Sequence, residues 1–174
     1  MSHRSTAAFL ALALVPAVGA AQAQPARAGA AAQPAASQVI VAHASTMTWM
    51  AGPPSLPAGA QFVLLEGNPA EAVPLTFRLK FPPNYRIPPH FHSVIEHVTV
   101  LEGTLNVAMG DTATYTGGVA LNAGSFAAMP AKMVHSAWTG AQGVTFQLHS
   151  VGPWSITYVN AADDPRTKRA AGSN

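Results

Sequence analysis

The 174-residue chain contains no cysteine. That absence excludes a disulfide framework, a thiolate metal site and a cysteine nucleophile. Charge is nearly as scarce: 9 Lys and Arg face 7 Asp and Glu, leaving 9% of residues charged and a formal net charge of +2. There is no basic stripe, so nucleic acid is not expected as a partner. Aromatic residues make up 7% of the chain, and paired carboxylates of the kind used in hydrolysis are missing. What is abundant is punctuation. Fifteen Pro and fourteen Gly imply many turns and short strands rather than long helices. The length suits one domain with a leader and tails.

Residues 1–23 read as an export signal. Arg4 supplies the charge, Ala7 to Ala20 form an apolar run, and Ala21-Gln22-Ala23 offers a small-x-small cleavage site. The apolar run is 14 residues long and interrupted by Pro16, short of the roughly 20 residues a membrane span requires. Cleavage is expected after Ala23, giving a periplasmic or secreted protein with no membrane span. Residues 24–37, rich in Ala, Pro, Gln and Gly, lack the apolar bulk for a core and read as a linker. A polar tail is expected over 161–174, which leaves 38–160 as the folded unit.

Within that unit no helical stripe is sustained. Pro74 to Phe81 alternates, with Leu75, Phe77, Leu79 and Phe81 on one face and Thr76, Arg78 and Lys80 on the other. Other β-prone runs, each bounded by turn residues, are Val39–Ala42, Gln61–Leu65, Val94–Leu101, Thr104–Met109, Ala113–Leu121, Ser125–Met129, Val134–Thr139, Val144–His149 and Ser155–Val159. Short strands at such close spacing predict an all-β domain, a sandwich or a small barrel.

Chemistry concentrates at His90-Phe91-His92-Ser93-Val94-Ile95-Glu96. Strand alternation projects His90 and His92 to one side, and Glu96 joins them if the strand continues; His97 points the other way. Two imidazoles and a carboxylate on one face begin a nitrogen/oxygen metal site. His135 stands after the turn Met129–Met133 and shares a face with the small Ala137.

These residues resemble the cupin superfamily, small jelly-roll β-barrels. The first cupin motif, G-x5-H-x-H-x3-4-E-x6-G, is met by His90, His92, Glu96 and Gly103, with Asn84 where the first glycine belongs. The second, G-x5-P-x-G-x2-H-x3-N, is met by Gly124, Pro130 and His135, with Lys132 and Thr139 replacing the second glycine and the asparagine. The substitutions fall at turn positions, where Asn84 adopts positive φ readily and Lys132 at some cost. The resemblance implies one divalent metal held by His90, His92, Glu96 and His135 at the barrel mouth. Iron, manganese, nickel and zinc all suit such a set. It further implies a small-molecule substrate or ligand and a homodimer.

Other residues have weaker claims. Gln147 and His149 are candidates to hydrogen-bond the metal ligands from behind or to transfer protons if the polar face of Val144–His149 lines the barrel; if Val144, Phe146 and Leu148 face inward, both lie outside. Tyr85 and Arg86 stand where they can gate the mouth, and Lys132 where it can attract an anion. Trp138 is expected on the face opposite His135, and the arm around Trp49 over a sheet edge. Among the remaining acidic residues, Glu66, Glu71, Glu102, Asp111, Asp163 and Asp164, none is a plain second acid or base. Metal-centred redox or Lewis-acid catalysis is therefore expected over carboxylate hydrolysis. The alternative is a module that binds or senses a metal or small ligand without turnover.

Overall fold

A computed structural model describes residues 39–167. The leader at 1–23, the linker at 24–37 and the tail from 168 onward lie outside the described residues. Ten strands follow in chain order: β1 (Met50–Ala51), β2 (Gln61–Glu66), β3 (Pro74–Phe81), β4 (Arg86–His92), β5 (Glu96–Met109), β6 (Val119–Asn122), β7 (Phe126–Met129), β8 (His135–Trp138), β9 (Val144–Val151) and β10 (Ile156–Tyr158). Every strand pairing is antiparallel.

β5 organises the rest. Its first half pairs with β7 and β9 in a sheet that continues through β3 and β2 to β1. Its second half pairs with β6 and β8 in a sheet that continues through β4 to β10. The curled sheet thus forms a jelly-roll barrel, as expected, and the two inner faces enclose one core. The alternation in β3 is realised: Leu75, Phe77, Leu79 and Phe81 are all buried. They meet Val98, Val100, Leu105 and Val107 from β5, Phe146 and Leu148 from β9, and Ile156 from β10.

The strand boundaries read from the sequence differ from the structure at several places, each for a local reason. Glu102-Gly103 is not a turn between two strands but a bend within β5. The ladder to β9 shifts register between Val100 and Glu102, and Gly103 has φ 74°. The carbonyl of Gly143 occupies the place a Cβ would take, so only glycine lets the strand pass from one sheet to the other. Val39–Ala42 forms no strand; Val39, Ile40 and Val41 are exposed, and the edge strand is β1 instead. Only the end of Ala113–Leu121 pairs, as β6.

His90 and His92 lie on a strand, as their alternation implied, but its start at Arg86 was hidden by Pro88 and Pro89, which cannot donate to a ladder. Its register against β8 shifts between Ile87 and His90. The bulge takes up the prolines and turns their carbonyls to use: Pro89 accepts from the Val159 amide at 2.9 Å, and Pro88 accepts from His90. Arg86 lies with its guanidinium 4.7 Å from the Tyr115 ring. Thr139, in the motif's asparagine position, is buried. It accepts from the Tyr85 amide at 2.9 Å and donates to the Pro82 carbonyl at 2.7 Å.

The Trp49 arm packs on its own sheet. Lys80 sits 4.7 Å over the Trp49 ring, Arg78 donates to the Met47 sulfur, and β1 extends the edge of β2. Past residue 160 the described chain continues in a short turn at Ala161–Asp163, capped by the Asn160 side chain. Arg166 then pairs with Asp164 and donates to the Ile156 carbonyl.

Asn84 and Lys132, which replace motif glycines, are the two non-glycine residues at positive φ among the described residues, at 57° and 63°. Lys132 is exposed and bears strain that glycine would relieve. Lys132→Gly should raise unfolding stability by about 1 kcal/mol after glycine's entropy cost is subtracted. Chemical denaturation measures this, and a decrease would mean that the lysine is not strained there.

Candidate metal centre

Three imidazoles meet inside the barrel. His90 and His92 come from alternate positions of β4, and His135 opens β8 directly opposite His90. All three are buried, and one nitrogen from each lies within 4.8 Å of the others. Their orientation is set from behind. His90 Nδ1 is 2.7 Å from the Pro88 carbonyl, His92 Nδ1 is 3.0 Å from that of Ser155, and His135 Nδ1 is 3.0 Å from that of Met133. A carbonyl only accepts, so each Nδ1 carries the proton and each Nε2 keeps a free lone pair. Two of the three carbonyls belong to the residue two positions upstream of the histidine. The bulge at Pro88-Pro89 and the turn at Lys132-Met133 therefore aim the rings.

Glu96 reaches the same point by another path. Ser93–Ile95 break the chain, so His90, His92 and Glu96 do not lie on one strand as the alternation argument assumed. Glu96 instead begins β5. Its Oε2 lies 3.3 Å from His92 Nε2 and 3.7 Å from His135 Nε2.

Burial governs the protonation of the group. It holds the His90 imidazole well below its ordinary value, helped by the neighbouring His135 and His92, and it lowers His92 to about 3. His135 is lowered by the same cause. Burial raises Glu96 to about 8. Without a cation the four groups are therefore neutral at pH 7, with Glu96 holding the proton that separates its oxygen from the facing lone pairs. Three convergent Nε2 lone pairs beside a carboxyl oxygen fit a borderline divalent ion, and no thiolate competes.

The remaining wall is apolar: Leu56, Leu79, Phe81, Ile87, Val98, Met129, Phe146 and Ile156 surround a cavity of about 30 Å³. That volume holds a water or two. Trp154 stacks on His92, with centroids 4.7 Å apart and planes at 20°, and its edge faces Phe77. Trp154, Ser155 and Leu56 were not found from the sequence. Their proximity to the histidines depends on strand pairing over long separations, which no local spacing reveals.

The other sequence candidates lie elsewhere. Phe146 and Leu148 point into the core, so Gln147 and His149 are on the outer face. Gln147 accepts from Arg78, and His149 pairs with Thr76. Trp138 faces away from His135's side, against Tyr115. Tyr85 is buried against Phe81 and donates to the Pro57 carbonyl at 2.6 Å. Lys132 is exposed. A cavity of about 470 Å³ beside Lys80 and Glu102 does not touch the imidazoles.

The family model of the ChrR cupin-like domain matches residues 37–153, well over half of the chain. The chain is a cupin. No curated protein matches it in sequence. Solved structures share its fold at low identity. The polyketide cyclase RemF from Streptomyces resistomycificus superposes with a TM-score of 0.59 at 19% identity, covering 76% of this chain and 94% of RemF. A putative acetylacetone dioxygenase from Methylibium petroleiphilum PM1 gives 0.57 at 17% identity, covering 79% and 96%. An RmlC-like cupin from Shewanella frigidimarina NCIMB 400 gives 0.51 at 16%, covering 66% and 93%. Among the described residues of this cupin, no helix is long and apolar enough to cross a membrane.

The buried group makes the metal-free cupin sensitive to pH from both sides. Below about 6.5 the unfolded chain takes up protons on its histidines that the fold refuses, so stability falls as pH drops toward 3. Between about 4.5 and 8 the unfolded chain has ionised Glu96 while the fold keeps it neutral, so stability falls as pH rises. Thermal melts of metal-free protein should show both slopes. Glu96→Gln should flatten the alkaline one, and an unaltered slope would show that Glu96 is already ionised in the fold.

Proposed function

We propose that this cupin is an exported, metal-dependent enzyme acting on a small oxygenated molecule. One divalent ion is held by His90, His92, His135 and Glu96. The observation that carries the reading is the set of three Nδ1-to-carbonyl hydrogen bonds, which leaves three Nε2 lone pairs pointing at one place. Such an ion supplies Lewis acidity and, as iron or manganese, a redox centre able to use dioxygen.

The chain's own residues have plain tasks. The three imidazoles and Glu96 bind, the backbone carbonyls of Pro88, Ser155 and Met133 fix the tautomers, and Trp154 and Leu56 exclude water. Glu96 is the one carboxyl group among the described residues that line the cavity. That favours dioxygenase-like or Lewis-acid chemistry, and the folds of a polyketide cyclase and a putative acetylacetone dioxygenase are of the same kind. Substrate would approach from a neighbouring cavity of about 250 Å³ that shares Leu56, Leu79, Trp154 and Ile156 with the metal cavity.

The alternative is a cupin that binds or senses a metal without turnover. The small cavity favours it, since about 30 Å³ leaves room for little beyond water. Periplasmic or secreted location rests on Arg4, Ala7–Ala20 and Ala21–Ala23. A homodimer rests on exposed Val119 and Phe126 on the short strands β6 and β7.

Elemental analysis after passage over a chelating resin tests the centre. The parent should retain about one ion per chain, and His92→Ala and His135→Ala close to none. A parent that stays empty after reconstitution with iron, manganese, nickel and zinc would overturn the reading. An iron or manganese protein that consumes dioxygen with small diketones or related compounds supports the enzyme; one that retains its ion without turnover supports the binding module.

A further inference from the structure

β5 sends Glu96 inward and therefore His97 outward, onto the face of the barrel away from the buried imidazoles. There His97 lies directly across from His149 of β9, and His149 across from Thr76 of β3, which in turn pairs with Glu66 of β2. One lateral row across four strands thus reads Glu66, Thr76, His149, His97. On the far side of His97, its partner on β7 is the small Ala128.

The hydrogen bonds along the row have a direction. The Thr76 hydroxyl donates to Glu66 Oε2 at 3.1 Å. Having one proton, it must accept from His149 Nδ1, 2.9 Å away. His149 is thereby fixed as the Nδ1–H tautomer with its Nε2 lone pair free, and the Glu66 carboxylate strengthens that nitrogen through the hydroxyl. This is the support from behind that metal-bound histidines receive. His97 supplies the second half: its Nδ1 is buried without a hydrogen-bond partner. The ring centroids stand 6.3 Å apart with planes at 37°. That separation matches one ion held between a nitrogen of each ring by bonds of about 2.0–2.1 Å, with His97 also stacked on Phe126. The same ion would satisfy the orphaned Nδ1.

We propose that His97 and His149 form a second metal site on the outer face of the barrel, taking one copper(II)- or zinc(II)-class ion completed by water. Two imidazoles, one of them backed by a carboxylate, select the late divalent metals, which bind such donors most strongly. The site is shallower than the buried centre and binds more weakly, because two protein donors are offered in place of four. It is independent of the buried centre.

Zinc(II) titration of the full chain by calorimetry, with copper(II) paramagnetic resonance for donor identity, tests the assignment. The parent should bind two ions and His149→Gln one. His92→Gln, which strikes only the buried centre, should keep the outer ion with a two-nitrogen copper signature. Thr76→Val leaves both ligands in place and should weaken the outer ion by about 10- to 100-fold. If the buried centre binds nothing, the parent takes one ion that His149→Gln removes and His92→Gln spares. Equal ion counts in the parent and in folded His149→Gln would overturn the proposal. Should His149→Gln fail to fold, unchanged affinity for the weaker ion in Thr76→Val would overturn it instead.

Discussion

Everything at the buried centre depends on three backbone carbonyls that each claim one imidazole proton. An imidazole in an apolar barrel has two ways to be satisfied, and the protein uses one nitrogen to decide what the other must do. Once Pro88, Ser155 and Met133 accept from the Nδ1 atoms, the Nε2 atoms have nothing but one another and Glu96 to face. Burial then keeps the rings uncharged and the carboxyl protonated, a state suited to receiving a cation and costly to hold empty. The carbonyls are main-chain groups, so their positions are set by bulge and turn geometry rather than by the identity of a neighbouring side chain.

That geometry comes from how the strands are bent. β5 belongs to both sheets, and its passage at Gly103 lets Glu96 face His92 and His135 while residues 106–109 pair with the strand that carries His135. The bulge in β4 turns His90 into line with His135. The irregularities in the ladder are thus the features that bring three imidazoles together and set Glu96 beside two of them, as bulges beside functional sites commonly do.

How much of this was legible depends on whether the information was local. The all-β class was legible because strands such as Pro74–Phe81 alternate without a break. The histidines were legible because His90 and His92 are separated by one residue, and because His135 follows a turn at a recognisable spacing. The path between them was not. Pro88-Pro89 disguised β4, and Glu102-Gly103 looks like a reversal until the close approach of Gly143 shows it to be a bend. Val144–His149 left two faces open, and the weight of Phe146 and Leu148 in the core decided against Gln147 and His149 as cavity groups. Trp154 escaped because stacking on His92 joins residues more than sixty positions apart, a relation that only pairing of β10 with β4 creates.

The loop between β1 and β2 has a further consequence. Leu56 closes the cavity, yet the loop is fastened through its own carbonyls: the Tyr158 hydroxyl donates to Ser55 and the Tyr85 hydroxyl to Pro57, at 2.8 and 2.6 Å. Neither phenol belongs to the cluster of three imidazoles, so the loop's fastening and that cluster share no group. Releasing two such hydrogen bonds costs about 0.5–1.5 kcal/mol each, and exposing one leucine adds about 1.5–3 kcal/mol. At about 1.4 kcal/mol per tenfold, the unlatched form is populated by roughly one molecule in a hundred to one in ten thousand. A local loosening of this loop would therefore leave the carbonyls that orient the imidazoles untouched, since Pro88, Ser155 and Met133 lie outside it.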